Sequence, residues 1–370
     1  MKLKSVIIKI VEIPMVSSFA TSFGTITKKP TVLVKATTTN GIIGWGEGAA
    51  LPFPYYKADT HETTYLALQK YIVPQALNIE FRTPEDFREL YSHNVIGHNF
   101  AKTAIETAIW MIYSISENKT LSKLLGGTKY KIPVGESLGI QSSVEETLAE
   151  VKLRKEEGYR RTKVKVKPKW DVNIVKAIRK EFGNIDLMVD GNSAYTLKDV
   201  KTFKELDEFN LTMIEQPLAH DDIIDHATLQ KKIKTPICLD ESILSAEDAR
   251  KAIEIGACKI INIKPGRVGG LVESKKIHDV CKKNKIGVWC GGMLETGIGR
   301  AFNIAVSSLP NYKYPNDMSP VNIFYKDDLV KDSFVVDKNG YVTVPQVPGL
   351  GFEIDENKIE KYTKRESRFI

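Results

Sequence analysis

The sequence predicts an α/β protein in which a TIM-like (β/α)7β barrel carries an α+β capping domain. After residue 130, short β-branched runs alternate with amphipathic helical segments through seven successive units, a pattern typical of parallel strands with helical crossovers. No G-x-G-x-x-G turn follows the first run, so an open dinucleotide-binding sheet is disfavoured. The chain of 370 residues also exceeds what one hydrophobic core usually supports, which predicts a second structural unit.

The capping domain is predicted at residues 1–128. Residues 31–47 alternate as two strands around an Asn40-Gly41 turn, which is a strong hairpin signal. Small and apolar residues then recur at helical spacing over 84–125. The end of the chain again has the texture of strand and loop, so residues 322–370 are expected to complete this domain.

The barrel is predicted at residues 129–321. Its first seven strands are expected at 132–138, 160–166, 187–190, 212–215, 237–240, 259–263 and 287–290. Between them, helices are expected at 144–157, 173–182, 197–210, 246–255 and 271–284. The pattern for the eighth strand is faint and is placed near 316–318. Because barrel strands all end at one mouth, side chains at their carboxyl ends should meet there.

Composition and charge exclude several classes of function. The formal net charge of +7 comes from lysines spread over the chain, and the basic runs lack interleaved aromatic residues, so no nucleic-acid partner is expected. Charged residues interrupt the apolar runs near the N-terminus, which predicts neither a signal peptide nor a membrane span. The four cysteines have no C-x-x-C spacing and are expected to stay reduced in a cytoplasmic protein. We also expect a homo-oligomer.

Three acids close consecutive predicted strands at one spacing. Asp190, Glu215 and Asp240, the strand-end acids, each follow a short apolar run and lie 25 residues apart. One such acid is usually a cap or a surface residue, but three at the period of one β/α unit should converge at the barrel mouth. Converging carboxylates repel at neutral pH and require a cation. Oxygen donors without histidine or cysteine favour Mg²⁺ or Mn²⁺ over Zn²⁺.

Lysines at two other strands complete the predicted site. Lys163 and Lys165 alternate with valines, so both lysines share one face of the second strand. Lys264 ends the sixth strand, 24 residues after Asp240. The second and sixth strands lie on opposite sides of an eight-stranded barrel, so a bound substrate would have an ammonium group on each face. An exposed lysine-rich edge strand is the alternative interpretation of the first pair.

This arrangement suits the removal of a proton from the carbon beside a carboxylate in a small anionic substrate. Such a proton is very weakly acidic, and its removal creates a dianionic enediolate. A divalent ion stabilises that charge as it develops, and a lysine that has lost its own proton can serve as the base. The sequence therefore predicts Lys165 as the base.

These residues resemble those of the enolase superfamily, specifically its muconate-lactonizing branch. That branch carries a K-x-K motif on strand two, three acids on strands three to five and a lysine on strand six, as this sequence does. Longer strings are similar to the family of o-succinylbenzoate synthases and N-succinylamino acid racemases, namely residues 21–25, 189–196, 214–218, 236–242, 262–270 and 289–297.

The resemblance implies an enolase-like fold whose capping domain is built from both chain ends, with a loop at 18–27 that closes over the barrel mouth. It implies Mg²⁺ on the strand-end acids. Lys165 would be the base and acid in the dehydration that makes o-succinylbenzoate for menaquinone synthesis, with Lys163 beside it. Lys264 would stabilise the enediolate as a cation, and in racemisation it would exchange protons from the other face. The implied substrate-site residues are Ser137, Asn192, Met293, Phe23 and Arg267, the last resembling an arginine of members with racemase activity.

Other functions are alternatives to this one. A dedicated N-succinylamino acid racemase would use the same groups. A dipeptide epimerase would carry an Asp-x-Asp pair at strand eight, where residues 314–320 offer only Asp317. Enzymes like mandelate racemase use a histidine at strand seven, which here ends at Trp289-Cys290. A class I aldolase would leave the three acids unexplained. A barrel reused as a binding module would have lost at least one of the five strand-end acids and lysines, and all five are present.

Overall fold

The computed structural model describes residues 1–21, 24–92 and 94–370. Before residue 129, the described chain forms strands β1 Leu3–Val11, β2 Phe19–Ala20, β3 Thr25–Ile26, β4 Thr31–Thr38 and β5 Ile43–Gly48. The helices of this region are α1 His61–Ala67, α2 Val73–Ala76, α3 Pro84–Ser92, α4 Asn99–Ser116 and α5 Leu121–Leu125, and a π-helical turn at Leu68–Ile72 joins α1 to α2.

Strands and helices then alternate along the chain. They are β6 Lys131–Leu138, α6 Val144–Glu156, β7 Thr162–Lys165, α7 Val172–Phe182, β8 Leu187–Asp190, α8 Val200–Leu206, β9 Ile214–Glu215, α9 Ile224–Gln230, β10 Ile237–Leu239, α10 Ala246–Glu254, β11 Ile260–Ile263, α11 Pro265–Val268, α12 Leu271–Lys283, β12 Gly287–Cys290, α13 Gly297–Ser307 and β13 Asn316–Asp317. The last elements are β14 Tyr341–Thr343, α14 Glu356–Tyr362 and β15 Thr363–Phe369. Single 3₁₀ turns lie at Leu197–Asp199, Asp207–Phe209 and Val321–Ile323.

The strands from β6 to β13 form a nearly closed parallel barrel. Their order is β12-β11-β10-β9-β8-β7-β6-β13. The seam between the two ends of this order is closed by a parallel bridge from Val288 to Tyr312 and by the Cys290 amide, which donates to Asn316 Oδ1 at 2.8 Å. The predicted fold class is confirmed, and the faint eighth strand lies where it was expected.

The capping domain is built around an antiparallel sheet in the order β15-β1-β4-β5. Its outer strand β15 comes from the C-terminal end of the chain and pairs with β1. Helix α4 packs against β5 so closely that a Cβ at Gly46 would lie 2.0 Å from the carbonyl oxygen of Ala104. Glycine at position 46 is therefore required for this close contact, which packs α4 directly against the sheet of the cap.

The strand period sorts the side chains of β7. Val164 and Val166 point outward into the apolar layer between strands and helices, and Lys163 and Lys165 point into the barrel. The interior below the lysines is filled by a separate apolar cluster made of Met188, Met213, Cys238, Ile260 and Trp289. The barrel therefore has an apolar floor and a charged mouth.

Some helices differ from the sequence prediction. The single helical stretch expected over 84–125 is divided, and Gly97 and His98 adopt φ angles of 68° and 51° between α3 and α4. Helix α13 was not among the predicted helices, although Arg300, Asn303 and Ser307 recur in it at helical spacing. All of its residues are buried, so this polar face packs inside the protein instead of facing solvent. Among the described residues, no helix is both long and apolar enough to cross a bilayer.

A carboxylate of the cap binds the N-terminus of a barrel helix. Glu47 in β5 accepts from the amides of Thr296, at 3.1 Å, and Gly299, at 2.8 Å, in the first turn of α13. The Thr296 hydroxyl donates to the same carboxylate at 2.7 Å. Negative charge is favoured at a helix N-terminus, so this buried contact ties the cap to the barrel. Lys29, which is also buried, adds an attractive charge near Glu47.

Replacing Glu47 by alanine is expected to lower the free energy of unfolding by about 3 kcal/mol, because the helix N-terminus loses its acceptor and a buried lysine loses its counter-charge. Urea-induced unfolding followed by circular dichroism measures this change. Glu62→Ala is the matched control, since Glu62 pairs with Arg365 at 2.6 Å on the exposed surface. Equal destabilisation by both substitutions would contradict the role given to Glu47.

Candidate active site

The structure gathers the residues predicted to carry out the chemistry at the carboxyl ends of the barrel strands. Asp190 ends β8 and Glu215 ends β9, whereas Asp240 and Lys264 directly follow β10 and β11. The parallel pairing of β7, β8 and β9 places the ends of these strands side by side. All of these side chains are buried, namely Lys163, Lys165, Asp190, Glu215, Asp240 and Lys264.

Each lysine of this group binds at least one strand-end acid. Lys165 Nζ lies 2.9 Å from Asp190 Oδ2, and Lys264 Nζ lies 2.8 Å from Asp240 Oδ2. Lys163 Nζ lies 3.1 Å from Glu215 Oε2. Strands β7 and β11 are four places apart in the barrel order, so Lys165 and Lys264 enter the site from opposite sides.

The electrostatics of the acids reflect burial and mutual repulsion. Burial, followed by the charge of Asp190, raises the pKa of Glu215 to about 7. Burial and the charge of Asp240 raise the pKa of the neighbouring Glu241 to about 8. For Asp240 itself, burial is outweighed by the charges of Lys264 and Arg267, which hold the pKa of Asp240 well below its usual range. Burial therefore disfavours the charged forms of Glu215 and Glu241, whereas the cationic partners of Asp240 keep that carboxylate ionised.

As the side chains stand, no three acid, histidine or cysteine side chains within 1–21, 24–92 and 94–370 surround a common point at metal-binding distance. The reason is visible in the contacts, because lysine ammonium groups lie against the oxygens of the strand-end acids. The donor set nevertheless fits a hard divalent cation. It consists of carboxylate oxygens, and the buried Oε2 of Glu241 has no hydrogen-bond partner in the described chain.

A cavity opens above these groups, between the barrel mouth and the capping domain. The side chains of Lys163, Lys165 and Lys264 lie at its charged end. The cap contributes a largely apolar wall, which is made of Phe19, Ile26, Leu51 and Tyr56. An anionic group can therefore be held by the lysines while the rest of a small molecule packs against apolar side chains.

Only some of the residues expected to bind substrate are found lining this cavity. Ser137, Asn192 and Met293 line the cavity. Asn192 Oδ1 also accepts from Lys165 Nζ at 2.7 Å, so it orients that lysine. Phe23 lies outside the described residues. Arg267 lies behind the site, and its part in substrate binding remains a prediction.

Arg267 is fully buried and does not line the cavity. Its guanidinium contacts Asp240 Oδ1 and donates to the carbonyl oxygens of Ile243, at 2.8 Å, and Asn262, at 2.6 Å. Asp240 in turn binds Lys264 through its other oxygen. The structure thus connects Arg267 to Lys264 through the two oxygens of Asp240.

Tyr56 and Asp317 lie at the site but were not assigned there from the sequence. The Tyr56 hydroxyl donates to Asp240 Oδ1 at 2.7 Å, and Lys264 Nζ lies 4.5 Å from the centre of its ring. Tyr56 comes from a cap loop without periodic pattern, so nothing local predicted this contact. Asp317 Oδ2 lies 2.7 Å from Lys163 Nζ. Its place in the predicted eighth strand was the available signal, but from the sequence Asp317 was considered only as the single acid that argues against a dipeptide epimerase.

Comparison with known proteins gives consistent matches along the chain. The family model described as "Mandelate racemase / muconate lactonizing enzyme, N-terminal domain" matches residues 4–126, and the model described as "Enolase C-terminal domain-like" matches residues 146–358. The o-succinylbenzoate synthase of Geobacillus kaustophilus is 45% identical over 359 residues, which cover 97% of this chain and 95% of that protein.

A second relative and a solved structure extend the comparison. The N-succinylamino acid racemase of Thermus thermophilus is 40% identical over 363 residues, which cover 98% of each chain. The crystal structure of an enolase superfamily member from Listeria innocua is similar over 100% of this chain and 99% of that chain, with a TM-score of 0.96 and 39% identity. Sequence and fold therefore point to the same group of proteins.

Proposed function

Since the chain belongs to the enolase superfamily, within the mandelate racemase and muconate lactonizing group, we propose that it is an o-succinylbenzoate synthase that also racemises N-succinylamino acids. Relatives that carry each of these two names match nearly the whole chain at 40–45% identity. The observation that carries the proposal is the pair of buried lysines, Lys165 and Lys264, on opposite sides of the acids. Both activities begin with removal of a proton beside a carboxylate.

In the dehydration, the substrate is the 2-succinyl-6-hydroxycyclohexadiene carboxylate of menaquinone synthesis. Lys165, in its neutral form, takes the proton from the carbon next to the carboxylate and leaves an enediolate. The same ammonium group then returns that proton to the departing hydroxyl, so the C–O bond breaks and water leaves as the ring becomes aromatic. Lys264 stays protonated and stabilises the developing negative charge.

In racemisation, the two lysines act in sequence on opposite faces of one carbon. The neutral lysine on one side removes the α-proton, and the protonated lysine on the other side delivers a proton to the opposite face. Reversal of the roles converts the other enantiomer. Three residues of the cavity wall would contact the substrate, namely Ser137, Asn192 and Met293. Phe23 is a further predicted contact.

Members of this superfamily generally use a divalent metal ion. We assign Mg²⁺, with Mn²⁺ as an alternative, to Asp190, Glu215 and Asp240, because these donors are all carboxylate oxygens at the ends of neighbouring strands. When bound, the ion would supply positive charge against the substrate carboxylate as negative charge develops there. The substrate is a small anionic carboxylate, and the homo-oligomeric state remains a prediction.

Purified protein with Mg²⁺ is expected to dehydrate the synthase substrate and to racemise N-succinylamino acids. Treatment with EDTA should lower both rates by at least about 100-fold, because the developing charge loses its counter-ion, and added Mg²⁺ should restore both rates. Circular dichroism of the stripped protein is the control for unfolding. Chelator-resistant turnover would contradict the metal assignment, and turnover of the N-succinylamino acids alone would identify a dedicated racemase.

A further inference from the structure

Lys163 differs from the other two lysines of the site in its acidic partners. Lys165 and Lys264 have ion pairs with strand-end acids, Asp190 and Asp240, within the described chain. Lys163 instead has a partner outside that set, since its Nζ lies 2.7 Å from Asp317 Oδ2. Its distances to the strand-end acids are longer, at 3.1 Å to Glu215 and 3.8 Å to Asp190.

Asp317 is itself held firmly from its other side. Arg161 Nη2 donates to Asp317 Oδ1 at 2.7 Å and to the Pro315 carbonyl oxygen at 3.0 Å. Arg161 Nη1 donates to the Glu136 carbonyl oxygen at 3.3 Å, and the whole side chain is buried. A Cβ at Gly135 would lie 2.7 Å from the guanidinium, so glycine at that position makes room for this arginine.

The aromatic floor of the barrel supports the same position of Lys163. The ammonium group lies 4.8 Å from the centre of the Trp289 ring, and the Arg161 guanidinium lies 4.9 Å from it. The Trp289 indole is in turn fixed by donation to Cys238 Sγ at 3.3 Å. Lys163 is thus drawn toward the floor and strand eight by Asp317 and Trp289 together.

This position matters because the other acidic oxygens near Lys163 Nζ belong to Glu215 and Asp190, which are assigned to the metal. An ammonium group that turned fully toward Glu215 and Asp190 would compete with a divalent cation for the same carboxylates. A second anchor outside the metal set reduces this competition, because the ammonium group lies closer to Asp317 than to Glu215 or Asp190, and the positive charge still stays at the cavity. Outer residues that orient the first set of ligands commonly control metal affinity in this way.

We propose that Asp317 is a positioning residue that anchors Lys163 on the strand-eight side of the site and thereby keeps Glu215 and Asp190 available to the divalent cation. The inference rests on the proposed metal site and adds a residue whose effect on that site passes through Lys163. It predicts a specific energetic coupling between Asp317 and Lys163 in metal binding.

The coupling is measured by titrating EDTA-stripped protein with Mn²⁺ in a calorimeter, for the wild type, Asp317→Asn, Lys163→Met and the double variant. In the wild-type background, Asp317→Asn is expected to raise the Kd for Mn²⁺ about tenfold. In the Lys163→Met background the same change should alter the Kd less than about twofold, because no ammonium group remains to be misplaced. Equal losses in both backgrounds, or no loss with Asp317→Asn, would overturn the inference.

Further variants separate this role from general damage to the fold. Asp317→Glu keeps the charge and should return the Kd to within about threefold of the wild type. Asp337→Asn is the matched control, because Asp337 pairs with Lys131 at 2.8 Å on the surface, and it should leave the Kd unchanged. If Asp317→Asn does not fold, Asp317→Ser enters the same cycle. Wild-type protein that fails to bind Mn²⁺ would refute the metal site itself, which is distinct from a cycle without coupling.

Discussion

Replacing Lys165 by alanine is expected to lower kcat for the dehydration by about 10³-fold, because the proton beside the carboxylate loses its base. Lys165 lines the cavity, and both Asp190 and Asn192 hold its Nζ there, at 2.9 Å and 2.7 Å. No other lysine of the described chain enters the cavity on that side with the same support, since Lys163 is turned toward Asp317. Steady-state assays with Mg²⁺ and the synthase substrate measure the loss.

The same strand offers a matched control for this experiment. Lys167 continues the alternation of Lys163 and Lys165, but its side chain is exposed. Lys167→Ala should therefore keep dehydration within about twofold of the wild type, as surface substitutions usually have small effects. Near-normal turnover by a folded Lys165→Ala protein would remove Lys165 from the role of base. Such a result would direct attention to Lys163 or Lys264.

The parts of the site that sequence reasoning predicted depend on local periods. Strand alternation placed Lys163 and Lys165 on one face of β7, and the 25-residue spacing placed Asp190, Glu215 and Asp240 on neighbouring strands. Both inferences need only the geometry of a strand and the regular repeat of one β/α unit. For the same reason the predicted strands at 187–190 and 287–290 coincide with β8 and β12.

The parts that the sequence did not predict depend on contacts between distant segments. Tyr56 reaches Asp240 only because the cap lies on the barrel mouth, and 184 residues separate the two in the chain. Asp317 meets Arg161 and Lys163 because the barrel closes at strand eight, across more than 150 residues. Neither contact follows from a local period. Tyr56 lies in a loop without a periodic pattern, and the place of Asp317 in strand eight does not by itself reveal which basic side chains it meets.

The docking of the cap belongs to this second group as well. Glu47 lies in a strand, and Thr296 caps a fully buried helix that was not predicted, yet the two meet at the N-terminus of α13. The loop before α13 carries Met293 and Leu294, which line the cavity. Stability of the domain contact and the shape of the substrate cavity are therefore set by the same segment of chain.

Replacing Lys264 by alanine is expected to affect the two activities unequally. Racemisation should fall by at least about 10³-fold, because the carbon can no longer exchange a proton on one face. Dehydration should fall less, by about 100-fold, because Lys264 serves there only as a stabilising cation. Parallel assays of one Lys264→Ala preparation with both substrates compare the losses directly. Equal losses would contradict the separate roles.

Proton exchange in D₂O isolates the face on which each lysine acts. Lys264→Ala should still exchange the α-proton of one enantiomer of an N-succinylamino acid, because Lys165 remains on the opposite side, and Lys165→Ala should exchange only the other enantiomer. Lys264→Arg keeps the charge but is almost never deprotonated, so it should recover part of the dehydration and none of the racemisation. Exchange of both enantiomers by Lys264→Ala would mean that a single lysine serves both faces, and the two-sided arrangement of β7 and β11 would then have no catalytic consequence.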